Sequence, residues 1–203
     1  MNPEKEIVNL WLHRQGFFTV TDINAKNRVI DLLAIKQQLE DQNPLVQHVE
    51  VSCSVGPIAN LAPQQKSELL MKFNDANVVA SVKSALHNYL GQEASYEKVL
   101  VTTLSPKLDL SGVKVISFGN VIADVVSGLD RQNYRNPIIR ALQLVKFVLM
   151  ANPKVAASLV SKKYEHRPLS LHNKEQFLNE LLSDEATRRF FKKPQHEELL
   201  IDL

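Results

Sequence analysis

The hydrophobic pattern changes period several times along the chain, and each change marks an element. Pro3 followed by Glu4 and Glu6 opens a helix, because proline loses nothing at the first helical position and acids suit the positive end. Ile7, Leu10, Trp11 and Arg14 follow at helical spacing; Ile7, Leu10 and Trp11 are expected to face inward, with Gly16 just past the helix end. Phe17 to Ile23 then reads as a strand and Asn24 to Asn27 as a turn. Val29 to Ile35 is apolar on both alternations except at Asp31, the pattern of a strand covered on both faces. Gln37 to Pro44 is a polar hairpin connection, and Val46 to Cys53 is the next strand.

Beyond Gly56-Pro57, residues 64–90 are helical in pattern and closed by Gly91, with Asn74-Asp75 and Asn77 as points of breakage. Tyr96 to Leu104 and Val113 to Phe118 are strands, and Asn120 is expected to cap a helix from Val121 to Val126. Asn136-Pro137, Asn152-Pro153 and Ser183-Asp184 each start a helical segment in the remainder. The order predicts an α/β fold with a mixed central sheet flanked by helices: a core over residues 1–130 and a helical extension over 131–203.

Composition narrows the class without naming it. A chain of 203 residues with 44% hydrophobic residues has material for a substantial core. Its net charge of +2 is too small to announce a polyanion partner, yet the charge is uneven. Residues 1–130 hold 11 basic and 14 acidic side chains, whereas residues 131–203 hold 13 and 8. Cys53 is the only cysteine, which excludes an intrachain disulfide framework. No signal peptide is apparent, and Ile138 to Met150, interrupted by Arg140 and Lys146, is too short to span a bilayer. A cytoplasmic protein without membrane contact is expected.

The candidate chemistry lies in two strands. His48, Glu50 and Ser52 alternate onto one face, and antiparallel pairing can set Asp31 beside Glu50. A carboxylate in so apolar a run is costly to bury, and a second one nearby raises the cost. A hard divalent cation relieves both problems; strand-end exposure or pairing with Arg14, Arg28 or Lys66 is the plainer alternative. Cys53 alternates away from Glu50 and reads as a small buried apolar residue. The six histidines lack paired metal-ligand spacing, and no glycine-rich phosphate loop or Gly-x-Ser-x-Gly turn is present.

Glu-Ile-Val-Asn-Leu-Trp-Leu-His-Arg-Gln-Gly-Phe-Phe-Thr-Val, then Val-Ile-Asp-Leu-Leu-Ala-Ile-Lys, then Val-Gln-His-Val-Glu-Val-Ser together resemble the core of the PD-(D/E)XK, or restriction-endonuclease-like, nuclease superfamily. The resemblance covers roughly residues 4–55, and the later element order is compatible through about residue 128. It implies that Asp31 and Glu50 ligate Mg²⁺ or Mn²⁺, with the Val51 carbonyl as a further oxygen ligand and Glu6 reaching the metal through water. It also implies catalysis on nucleic acid, DNA in the first place. The motif's lysine is replaced by Ser52, whose hydroxyl is neither cationic nor basic at neutral pH. Loss of a positioned base costs about 10²–10⁴-fold.

Lys66, and after it Lys72, are the candidates to reach across from the next helix. Lys36 falls on the opposite face from Asp31 in an unbroken strand. His48 is a candidate base or ligand, or simply a histidine on an exposed strand face. The alternative function is a non-catalytic module of the same fold that binds nucleic acid or assembles with a partner. The extension supplies an apolar stripe, Ile138, Ile139, Leu142, Val145, Leu149 and Met150, that packs on the core or forms a homodimer interface. Arg188-Arg189 and Lys192-Lys193 are candidate phosphate contacts.

Overall fold

The computed structural model describes residues 2–38, 43–53, 63–104, 108–129 and 134–151. Its elements are α1 (Pro3–Arg14), β1 (Phe18–Ala25), β2 (Arg28–Lys36), β3 (Leu45–Ser52), α2 (Pro63–Asn74), α3 (Ala76–Leu90), β4 (Glu97–Thr102), β5 (Val113–Ser117), α4 (Phe118–Ser127) and α5 (Pro137–Ala151). The chain divides into two compact units, Met1–Val121 and Ile122–Leu203.

In the first unit the five strands lie in chain order, β1 to β5, in one mixed sheet. β1, β2 and β3 are antiparallel neighbours, while β3–β4 and β4–β5 are parallel. A parallel neighbour demands a crossover, and α2 and α3 supply the one between β3 and β4.

α1 is fixed at both ends. Asn2 Oδ1 accepts from the Glu4 and Lys5 amides (3.0 and 3.2 Å), and Gly16 takes the left-handed φ of 84° that follows the helix end. The buried residues are Ile7, Val8 and Leu12, not the expected Ile7, Leu10 and Trp11; the last two are only half-buried. The correction amounts to a rotation of the helix. Asn9 and His13 turn to the sheet, where Thr19 Oγ1 donates to Asn9 Oδ1 and accepts from His13 Nε2, both at 2.6 Å. α1 thus covers the face bearing Thr19 and its partner Ala34.

α3 covers the opposite face, where Leu33, Ile35 and Val46 pack with Val78, Val82 and Leu86. The helical stretch after residue 63 is broken at Asp75, whose carboxylate caps α3 by accepting from the Asn77 amide (2.8 Å), and Gly91 (φ 70°) ends it. Both devices match the sequence signals.

The alternation along β1 and β2 reverses at one point. The core beneath α3 takes Val20 and Ile23 from β1 and Ile30 and Leu33 from β2, residues three apart where an unbroken strand would offer two. Between them the ladder runs Thr21–Leu32 and then Ile23–Ile30, so Asp22 and Asp31 face each other without a ladder pair. Asp22 has φ 57°, a left-handed conformation that Asp tolerates better than most residues. This kink turns Asp31 out of the regular alternation.

α4 begins at Phe118, directly after β5, so Asn120 lies exposed in its first turn instead of capping it. The helix thus starts three residues earlier than expected, at a buried phenylalanine. In the second unit, α5 is capped by Asn136, whose Oδ1 accepts from the Ile138 and Ile139 amides. Its buried positions are Ile139 and, against expectation, Lys146, whose Nζ donates to the Ser127 carbonyl (3.1 Å) at the negative end of α4. Val145, assigned above to the inward stripe, is 54% exposed. The segment starts at Asn152-Pro153 and Ser183-Asp184 and the basic pairs at 188–193 lie outside the described residues. No helix among the described residues is long and apolar enough to cross a membrane.

Candidate functional site

The β2–β3 ladder pairs Leu32 with Val49, and one further step along the same register sets Asp31 opposite Glu50. At that step the regular ladder gives way to side-chain contacts. Asp31 Oδ2 accepts from the Val51 amide at 2.9 Å, and Glu50 Oε1 lies 3.4 Å from the Asp31 amide nitrogen. A strand residue sends its amide and its carbonyl toward the same neighbouring strand, so the Val51 carbonyl is directed to the Asp31 side. The two acids and the Val51 main chain therefore converge at the point where β1 and β2 are kinked.

Glu50 is almost fully buried, 2% exposed, and both of its oxygens hold nitrogen donors. His48 Nε2 lies 2.9 Å from Oε1, and Lys72 Nζ lies 3.3 Å from Oε2. His48 is 0% exposed, which overturns the exposed-strand reading. The Phe73 ring of α2 covers it, with centroids 4.9 Å apart, and Tyr96 stands at 6.2 Å. Nε2 faces the carboxylate and is placed to donate to it, while the buried Nδ1 has no hydrogen-bond partner among the described residues. The contact holds the Glu50 carboxylate in one orientation.

The amine that reaches Glu50 comes from Lys72, not from Lys66, which is exposed near the start of α2. Lys36 is engaged elsewhere, its Nζ donating to the Gln15 carbonyl at 2.7 Å beyond the end of α1. Ser52 stands half-buried at the end of β3, where its carbonyl accepts from Thr102 Oγ1 (2.7 Å). Glu6 is half-buried on α1, but the α1 charge that bears on Asp31 belongs to Lys5, which also pairs with Asp22. Arg28 pairs with Asp75 at 3.8 Å and leaves Asp31 free of it.

Burial pushes the Asp31 carboxyl above its ordinary value, and the Glu50 charge adds to the shift. The Val51 amide, Lys72 and Lys5 offset only part of it. Between the ordinary value of 3.8 and the raised folded value the native state binds the extra proton, so stability falls as pH rises through that window and stays lower at neutral pH. Asp31→Asn removes the charge and keeps an oxygen for the Val51 amide. Its Tm at pH 7 is expected to rise by a few degrees, roughly 2–4 °C for each kcal/mol in a domain of this size. A fall in a thermal melt would mean that Lys72 and Lys5 outweigh burial.

The donor set fits Mg²⁺ or Mn²⁺. Carboxylate and carbonyl oxygens are hard donors, the kind these cations take. No group of three His, Cys, Asp or Glu side chains placed to hold a metal ion together is found among the described residues. Mg²⁺ commonly takes one or two carboxylates and completes its shell with water and phosphate. Cys53, half-buried instead of fully buried, is no competitor as a nucleophile: burial and the Glu4 charge push its thiol up to about 11. Alkylation at pH 8 is expected to run roughly 10²-fold slower than for a free thiol, and an ordinary iodoacetamide rate would contradict this. Set beside known proteins, the chain matches no family model, no curated protein and no solved structure.

Proposed function

We propose that this chain is a divergent restriction-endonuclease-like nuclease that hydrolyses DNA phosphodiester bonds with Mg²⁺ or Mn²⁺, Lys72 standing in for the motif lysine that Ser52 replaces. What supports the reading is the convergence of Asp31, Glu50, the Val51 main chain and the Lys72 ammonium at one point of the sheet. Asp31 and Glu50 would hold the cation, with the Val51 carbonyl beside them. When bound, it supplies Lewis-acid polarisation of a phosphate and a water of lowered pKa. Lys72, with 32% of its side chain exposed, can offer a donor to a phosphate oxygen or to the attacking water while remaining near Glu50. His48 holds the Glu50 carboxylate in orientation through Nε2–H, the role that hydrogen-bonded partners play around metal ligands. Ser52 contributes no charge.

One observation favours the second reading, a nuclease-fold module that binds DNA without cutting it. Both Glu50 oxygens already carry nitrogen donors, so a cation must displace or share the Lys72 contact. Nicking of supercoiled plasmid with Mn²⁺ separates the two. Cleavage by the wild type that disappears in Glu50→Gln supports the nuclease. Wild-type DNA binding without nicking in Mn²⁺ or Mg²⁺ supports the module.

A further inference from the structure

A cavity of about 310 Å³ opens between β1 and α3. Its wall on α3 is one helical stripe, Ser81, Ser84, Ala85, Asn88 and Tyr89, and its wall on β1 is Val20, Ile23 and Asn24. None of these residues carries a charge. Tyr89 is 52% exposed and leans on Phe18, itself 57% exposed, with ring centroids 5.9 Å apart and planes at 58°. Two large aromatic surfaces are thus held in water beside a concave site edged by the exposed carboxamides of Asn24 and Asn88.

We propose that this pocket receives an unpaired nucleobase, stacked on Tyr89 and hydrogen-bonded at its edge by Asn24 and Asn88, so that the substrate is single-stranded or locally unpaired DNA. The chemistry selects the occupant. A phosphate finds no cation in the lining, and an aliphatic side chain would leave the carboxamides unmatched. A base offers a π-face to the tyrosine and a donor–acceptor edge to an amide. The volume, at the low end of the roughly 300–1,000 Å³ typical of ligand sites, suits one ring system. Lys26, exposed in the turn two residues beyond Asn24, provides a cation for the adjoining backbone phosphate. The pocket also adjoins the acids through the sheet: Ile23 in its wall pairs with Ile30, the residue before Asp31. The base it holds would flank the phosphodiester presented to Asp31 and Glu50, an inference that rests on the nuclease reading for its second half only.

The test is fluorescence anisotropy in EDTA with a labelled ten-nucleotide oligothymidylate and an abasic strand of equal length and charge. One stacked base corresponds to a preference of about 5- to 150-fold for the thymidylate strand. Tyr89→Ala, at a half-exposed position, is expected to abolish the preference while leaving abasic binding unchanged, and Tyr89→Phe to retain it. Equal affinity for both strands, binding of neither, or an undiminished preference in Tyr89→Ala each overturns the proposal. Plasmid nicking and strand preference, both measured on the wild type, keep the two inferences apart. Base preference without plasmid nicking leaves the pocket standing and removes the nuclease, whereas nicking without base preference does the reverse.

Discussion

On the nuclease proposal, replacing Lys72 by methionine is expected to lower Mn²⁺-dependent cleavage by about 10²–10⁴-fold, the usual worth of a positioned proton-transfer or water-orienting group. The same change reaches stability by a separate route. Glu50 is 2% exposed, and the Lys72 ammonium lies 3.3 Å from its Oε2. Removing one partner of a wholly buried pair costs about 3–5 kcal/mol, because the remaining charge stays desolvated. With 32% of its side chain exposed, Lys72 has less to lose, and about 2–3 kcal/mol is expected in urea melts. The decisive comparison is the double variant. Glu50→Gln with Lys72→Met removes both charges and should recover most of that loss, since an absent pair costs far less than half of one. A single Lys72→Met variant as stable as the wild type would show that water, not Lys72, satisfies Glu50. Wild-type cleavage by that variant would remove Lys72 from the mechanism.

The choice between Lys66 and Lys72 shows how far the sequence carries the site. The two acids are legible because each interrupts an apolar strand, and their pairing follows from the hairpin joining β2 to β3. The amine is not. Leu69 and Phe73 define the buried stripe of α2, and helical angle alone places Lys66 nearer its centre than Lys72. What decides is position along the axis: six residues at about 1.5 Å each set the two lysines roughly 9 Å apart. That axial offset depends on the connection between β3 and α2, and periodicity holds no information about it. The burial of His48 lies beyond the sequence for a related reason. Alternation places it correctly on the face of Glu50, but whether that face is open depends on Phe73, which is distant in sequence.

The kink at Asp22 marks a second limit. Element order, the break at Asp75 and the left-handed glycines at 16 and 91 follow from local rules, because caps and turns are local chemistry. The reversal of alternation across Asp22 and Asp31 is invisible to period counting, since each half of each strand alternates properly by itself. Its sole local sign is an aspartate, a residue that visits the left-handed region, in the middle of a strand of Thr, Val and Ile. The consequence bears on function. In regular alternation the Asp31 carboxylate would stand normal to the sheet, whereas here it accepts from the Val51 amide at the level of the ladder. Lys5, paired with Asp22, is placed to hold the kink and to act on Asp31 at once.

Truncating Phe73 to alanine is expected to cost about 3–5 kcal/mol, the range for an aromatic ring lost from a packed core. Phe73 is 0% exposed, and it joins Leu69, Leu100, Leu104 and Leu110 while lying 4.9 Å from the His48 ring. Against a typical net stability of 5–15 kcal/mol, the loss should appear as a Tm drop of roughly 6–20 °C. The site adds a second consequence. His48 and Glu50 are kept dry on the α2 side by this ring, and a cavity there sits next to the unpartnered Nδ1. Water entering the cavity would satisfy Nδ1 and weaken the fixed orientation that His48 imposes on Glu50. Phe73→Leu refills most of the volume and should recover more than half of the stability. If cleavage by Phe73→Leu matches the wild type while Phe73→Ala, assayed well below its own Tm, cleaves more slowly, dryness around Glu50 is part of catalysis. Equal cleavage by all three would confine Phe73 to holding α2 on the sheet, and with it the reach of Lys72.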